Sequence, residues 1–239
     1  MPLPLDPSEG LSSALRTVVL FGGSFDPPHR AHAALPDAVR AAQSGVRSTW
    51  LLYIPAARSP HKQRGPMASD AQREEMLRLA IKDVPHTAVW TEEVDRAGLG
   101  TPSFTIDTAR RARTWLGAHG GGGVKLRLLI GADQAAKFHA WREPRGIIEL
   151  AEPLVMLRRP SESADELRTA MTSSTFWSAE ELTAWSRRVV DLDVDPVSAT
   201  EIRRLLAGSA AERFSARELV TPAVWKYIEE HGLYRATQA

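Results

Sequence analysis

Five short apolar runs alternate with helix-patterned segments through the first two-thirds of the chain. That alternation limits the fold more than any other feature. The runs are Thr17 to Phe21, Thr49 to Ile54, Thr87 to Trp90, Lys125 to Ile130 and Pro153 to Leu157. Three of them stop at a backbone breaker: Gly22, Pro55 and Gly131. Short apolar runs closed in this way predict buried strands. The segments between them predict helices at about Arg30 to Gln43, from Ser69-Asp70 to Ala80, and from a start at Thr101 to Phe104 through about Leu116. Gly117 to Gly123, with five glycines, ends the last of these as a connector. Strands alternating with helices predict an α/β class: a doubly wound parallel sheet with helices on both faces.

The final third adds helices at about Ala199 to Ala207 and Pro222 to His231, with Val189 to Val194 between helical regions. Ser161 to Arg188 is helical in pattern and suggests a surface hairpin or an assembly contact; homo-oligomer formation is left open. No segment has the length and composition of an interdomain linker. Residues 1–16 hold Pro2, Pro4 and Pro7 and read as a flexible leader, with 17–239 as a single domain.

Composition narrows the function. Lys and Arg number 30 and Asp and Glu 29, for a formal net charge of +1. That balance argues against a nucleic-acid binder, which needs a basic excess or stripe. A hydrophobic fraction of 43% argues against a disordered chain. The absence of cysteine removes disulfides, thiolate metal sites and cysteine nucleophiles, and fits a cytoplasmic location. No stretch approaches the roughly 18 apolar residues of a membrane span.

In an open parallel sheet, ligands bind beyond the carboxyl ends of the strands. After the first run stands Gly22-Gly23-Ser24-Phe25-Asp26-Pro27-Pro28-His29-Arg30-Ala31-His32. The glycines let the backbone approach a ligand, and the prolines stiffen the turn. His29 and His32, three apart at a helix start, share a face. Two imidazoles beside exposed helix N–H groups suit a polyphosphate. A metal pair, surface caps or an ordinary tight turn are the competing readings of each piece taken alone. No Cys, Glu or Asp follows at ligand spacing, so no protein metal site is expected.

This segment resembles the nucleotidyltransferase signature Gly-Gly-(Thr/Ser)-Phe-Asp-Pro-x-His-x-Gly-His, with Ala31 in place of the usual glycine. Val197-Ser198-Ala199-Thr200-Glu201-Ile202-Arg203 resembles the same family's Ile-Ser-Ser-Thr-x-Ile-Arg segment, with Ala199 for the second serine. Ser198 or Thr200 is expected to cap the helix there; in isolation the stretch reads as an ordinary capped amphipathic helix. Pro60-His61-Lys62, Ser103 to Thr108, Ile130-Gly131-Ala132-Asp133, Trp141, Arg158-Arg159-Pro160 and Val224 to Tyr234 extend the likeness in order. Together they resemble the bacterial nicotinate-nucleotide adenylyltransferases.

The resemblance implies a Rossmann-like nucleotidyltransferase fold with C-terminal helices. It implies adenylyl transfer from ATP to nicotinate mononucleotide, with Mg²⁺ carried mainly by the ATP phosphates and no nucleic-acid or membrane partner. His29, His32 and Arg203 would then be catalytic. Gly22, Gly23, Ser24, Phe25, Gly131, Asp133, Ser198 and Thr200 would join them around ATP. His61, Lys62, Thr105, Trp141 and Arg159 would meet the acceptor. Trp141 would stack on the pyridine ring, although one of seven tryptophans is also an ordinary core residue. Thr105, at a helix start, would offer N–H groups to the nicotinate carboxylate. His61 and Lys62 read equally well as a solvated basic loop. The competing functions are transfer to nicotinamide mononucleotide or phosphopantetheine, or a non-catalytic nucleotide sensor.

Overall fold

A computed structural model describes residues 2–5, 15–42, 48–57, 66–98, 103–157, 163–190, 192 and 197–236. The chain runs β1 (Thr17–Gly23), α1 (Arg30–Ala42), β2 (Thr49–Pro55), α2 (Asp70–Ile81), β3 (Thr87–Val89), α3 (Glu92–Gly98) and α4 (Thr105–Ala118). It continues with β4 (Lys125–Gly131), α5 (Ala132–Ala136), a 3-10 turn (Phe138–Ala140), α6 (Pro144–Leu150) and β5 (Glu152–Met156). The last part holds α7 (Ala164–Thr172), α8 (Ala179–Ser186), β6 (Val189–Val190), α9 (Ala199–Ala207), α10 (Ala210–Arg217) and α11 (Pro222–Glu230).

Among the described residues the strands form one sheet in the order β3-β2-β1-β4-β5-β6, and every pairing is parallel. Successive side chains of a strand face opposite sides, and both sides are covered. Val18, Leu20, Leu52, Ile54, Leu128 and Val155 face α4, α6 and α7, where Ile106, Ala109, Ile147, Leu167 and Met171 meet them. Val19, Phe21, Leu51, Tyr53, Leu129 and Leu154 face α1, α2, α9 and α11, where Leu35, Met76, Leu77, Ile202 and Ile228 lie. Double coverage explains why the strands read as continuous apolar runs rather than alternating ones.

Several elements depart from the sequence reading. Helices α3 and α10 were not expected; α3 lacks an apolar stripe and is held by an ion pair between Arg96 and Glu92 and by bonds to α4, whereas α10 carries a Ser209–Glu212 capping box. Val189–Val190 pairs with β5 as a sixth strand. Helices α7 and α8, expected as a surface hairpin or an assembly contact, bury Leu167, Met171 and Trp185 in the core, with Trp177 between them. Of the segment expected to be a leader, Leu3 and Leu5 are also buried there.

The order of strands reverses between β1 and β4. The chain leaves β1 toward β2 and β3, then returns to pair as β4 on the other side of β1. Crossovers that diverge from two neighbouring strands leave a crevice at their carboxyl ends. The loops after β1 and β4 both open there.

Candidate active site

That crevice is a cavity of about 610 Å³. Thirteen of the residues singled out from sequence line it: Gly22, Gly23, Ser24, Phe25, His29, His32, Thr105, Gly131, Asp133, Trp141, Ser198, Thr200 and Arg203. His61, Lys62 and Arg159 lie outside the described residues.

The β1 loop is shaped by packing. A Cβ on Gly23 would stand 2.9 Å from the Phe25 ring, so only glycine lets that ring fold over the strand end. Gly22 has open space where a side chain would be, which leaves room on the cavity side. Phe25 itself sits at φ +47°, a left-handed conformation costly for a bulky residue. Its ring is held edge-on by Phe21, Tyr53 and His32 at 5.7, 5.7 and 5.0 Å.

Asp26, only 3% exposed, is the hub of the loop. Its carboxylate accepts N–H bonds from Met67 at 2.8 Å and Ala68 at 3.1 Å, and the Tyr234 hydroxyl at 2.7 Å. Burial pushes the Tyr234 pKa up and the Asp26 charge adds to the effect, so the phenol stays a donor. The buried Arg73 guanidinium donates to the Ser24 carbonyl at 2.6 Å and pairs with Asp70 at 2.6 Å. The Asp26–Pro27 peptide is cis. The motif residues singled out for ligand contact did not include Asp26 and Arg73, which fix the loop. Their partners are remote in sequence, so only the folded chain reveals the role.

The loop delivers two histidines to the start of α1. Arg30 secures that start by donating its backbone N–H to Leu219 and its Nε to Val220. The His29 and His32 rings stack with centroids 3.7 Å apart. His32 Nδ1 accepts the His29 backbone N–H at 3.1 Å. In the neutral ring this leaves the proton on Nε2. His29 is buried at 7% exposure, yet both residues border the cavity.

Helix α9 brings Arg203 to the same place from far along the chain. Its Nη1 donates to the Asp26 carbonyl at 2.5 Å and lies 3.9 Å from the Asp26 carboxylate. Its Nη2 donates to Thr200 Oγ1 at 3.2 Å. The expected helix cap is corrected here: Ser198 holds the N-cap position but makes no side-chain cap bond, and the Thr200 hydroxyl serves Arg203. Helix α4 likewise begins without a side-chain cap, after Phe104. Helices α2, α7, α8 and α10, whose cap residues do not border the cavity, carry complete capping boxes. Helices α4 and α9 thus open on the cavity with N-terminal N–H groups uncapped by side chains. Such groups favour anions.

At the α4 end, Trp141 stacks on the buried Phe138 at 4.7 Å and also borders the cavity. It is therefore both a core-supported and a site-facing tryptophan. Arg142, not anticipated from sequence, lies over the Phe104 ring at 4.8 Å and lines the cavity. It supplies a cation near the α4 start. On the β4 side, a Cβ on Gly131 would meet the Asp133 carboxylate at 2.7 Å, so this carboxylate lies close over the glycine. Glu93, Ser103 and Thr108 complete the wall beside Thr105. Among the described residues no group of three His, Cys, Asp or Glu side chains suits a metal ion.

The cytidylyltransferase-like family model matches residues 20–205. A probable nicotinate-nucleotide adenylyltransferase of Chromobacterium violaceum is 33% identical, over 91% of this chain and 98% of that one. Its counterpart from Bordetella petrii is 37% identical over 92% and 100%, and that of Thermus thermophilus 37% over 90% and 98%. The nicotinic acid mononucleotide adenylyltransferase of Plasmodium falciparum, solved with NaAD, shares the fold. Its TM-score is 0.62 at 14% identity, over 92% of this chain and 97% of that one. The chain therefore belongs to the cytidylyltransferase-like family and, within it, to the nicotinate-nucleotide adenylyltransferases.

Proposed function

We propose that this protein transfers the adenylyl group of ATP to nicotinate mononucleotide, forming nicotinate adenine dinucleotide and pyrophosphate. One observation carries the reading: the histidine loop after β1, the start of α9 with Arg203 and the start of α4 with Trp141 all open on one cavity. The match of relatives bearing that name over nearly their whole length supports it.

In this reading the acceptor's phosphate oxygen attacks the α-phosphorus of ATP in line. A new P–O bond forms as the bond from the α-phosphorus to the β-phosphate oxygen breaks. The electron pair leaves with pyrophosphate. No protein nucleophile takes part, so the protein positions the reactants and stabilises charge. His32 Nε2–H, with its ring held by Phe25 and His29, donates to the oxygen that gains charge. His29 supports it, and Arg203 grips the β and γ phosphates with a fork of donors. Gly22, Gly23, Ser24 and Phe25 line the nucleotide through the backbone. Gly131 and Asp133 hold the ribose side, and Ser198 and Thr200 border the phosphates.

Magnesium carried by the ATP phosphates would neutralise triphosphate charge. Both oxygens of the buried Asp26 carboxylate are engaged by the protein, which is consistent with a metal held by phosphate. On the acceptor side, Trp141 offers its face to the pyridine ring. The α4 start receives the ring's carboxylate, and Arg142 adds a cation to the acceptor-side set of His61, Lys62 and Arg159 expected from sequence. Residues 17–239 act as one nucleotidyltransferase domain, since the phosphate-binding pieces at its two ends share the cavity. The reading places the work in the cytoplasm, where ATP is made; none of the described helices is long and apolar enough to cross a membrane.

The experiment is pyrophosphate release at fixed Mg-ATP with nicotinate mononucleotide, nicotinamide mononucleotide and phosphopantetheine as acceptors. The expected result is fastest turnover with nicotinate mononucleotide. Preference for either of the other two reassigns the substrate. ATP binding without release from any acceptor makes the protein a sensor.

A further inference from the structure

Two carboxyls adjacent in the chain, Glu92 and the cavity-lining Glu93, are left unused by the mechanism above. Glu92 is buried at 1% exposure and is paired with two cations, Arg96 Nε at 2.6 Å and Arg111 Nε at 2.9 Å. Glu93 has no such pairing at this range among the described residues and borders the cavity directly. It hydrogen-bonds Ser103 and Thr108, which flank Thr105 at the open start of α4. The carboxyl therefore stands behind the turn where the acceptor ring's substituent is placed in the adenylyl-transfer reading.

The hydrogen bonds around Thr108 indicate which carboxyl is charged. The Thr108 Oγ1 lies 3.2 Å from Glu92 Oε2, 3.1 Å from Glu93 Oε1 and 3.2 Å from Arg96 Nη2. A hydroxyl has one proton to give and two lone pairs. It accepts from Arg96 and can donate to only one carboxylate. Both carboxyl contacts are satisfied together only if one carboxyl brings its own proton. Two guanidinium groups hold Glu92 and none is paired with Glu93 among the described residues, so the extra proton belongs on Glu93.

We propose that Glu93 is a specificity-determining residue of the acceptor site, and that its neutral carboxyl is what admits a pyridine carboxylate rather than a carboxamide. The proposal rests on the adenylyl-transfer reading. A neutral Glu93 keeps the α4 start free of a facing negative charge; an ionised one sets carboxylate against carboxylate and favours the uncharged amide. Burial, more than any other cause, pushes the Glu93 pKa up to about 7, and neighbouring Glu92 adds to it. The other charged groups around it are Asp107 and Arg111 on α4 and Arg142 across the cavity. The switch between the two forms thus falls in the working pH range.

The test is kcat/KM for nicotinate mononucleotide and for nicotinamide mononucleotide, both with saturating Mg-ATP, from pH 6 to pH 8. Both acceptors carry the same phosphate, so its titration cancels from their ratio. A group titrating near the middle of this window loses most of its protons across it, so the acid-to-amide ratio should fall about tenfold. In Glu93→Gln, which keeps a polar group against Thr108 but cannot ionise, the ratio should stay flat. A flat ratio in the wild type overturns the proposal, as does an equal fall in both proteins. Should Glu93→Gln not fold, the wild-type profile decides by itself. No turnover of either mononucleotide at any pH overturns the adenylyl-transfer reading and this proposal with it.

Discussion

Replacing Asp26 with Asn changes one oxygen to an NH₂ group and removes one charge at the hub of the β1 loop. The two carboxylate oxygens receive different partners: Met67 N–H at 2.8 Å on one side, Ala68 N–H at 3.1 Å and the Tyr234 hydroxyl at 2.7 Å on the other. Whichever way the amide turns, its NH₂ meets a backbone N–H, donor against donor. At least one bond to a charged acceptor is lost, worth about 1.5–3 kcal/mol, and an N–H is left unsatisfied at a further cost of about 1–3 kcal/mol. A loss of about 3 kcal/mol is therefore a low estimate. For a chain of this size each kcal/mol shifts Tm by about 2–4 °C, so the variant should melt about 6–12 °C lower. Arg203, 3.9 Å from the same carboxylate, keeps its bond to the Asp26 backbone carbonyl but loses a charge partner, so KM for ATP should rise. Circular dichroism melting and pyrophosphate release measure the two effects. A Tm within about 1 °C of wild type, with KM for ATP unchanged, would refute the assignment of Asp26 as the hub.

Three further outcomes are expected. His32→Ala and His29→Ala should each lower kcat by about 10²–10³, the usual loss of one placed transition-state donor; near-wild-type turnover removes that histidine from the mechanism. Trp141→Ala should raise KM for the mononucleotide more than KM for ATP, because its ring borders the cavity near the α4 start; equal changes in both would leave only its packing on Phe138. Stability should fall as pH rises from the usual glutamate range through about 7, because native Glu93 keeps a proton that the unfolded chain has already lost. Urea melts of Glu93→Gln should lack that component of the slope, and an unchanged slope would place the titration elsewhere.

The periodic signals of strand and helix are local, so their order was legible in the chain itself. Val19 and Leu20 must face opposite sides of a strand wherever that strand lies. The residue types of the β1 loop and of the segment ending at Arg203 were legible for the same reason: histidine pairs, glycine and arginine carry their phosphate chemistry with them. Helix α3 was not, because a short polar helix depends on tertiary partners rather than on an apolar stripe; α10 carried its signal in the Ser209–Glu212 capping box. The capping expectation for Ser198 also failed, since a serine at a helix start has the chemistry to cap but its rotamer and neighbours decide whether it does.

What the tertiary structure decided was each property that depends on the chain's return to itself. Asp26 is a hub because Met67, Ala68 and Tyr234, separated from it by 41, 42 and 208 residues, converge on one buried carboxylate. Glu93 differs from its neighbour Glu92 only through what surrounds it, two guanidinium groups for one and the cavity wall for the other. Sequence supplies the donors, acceptors and period. Burial and through-space pairing, which set charge state and orientation, exist only once the sheet has brought β1, α4 and α9 to the same crevice.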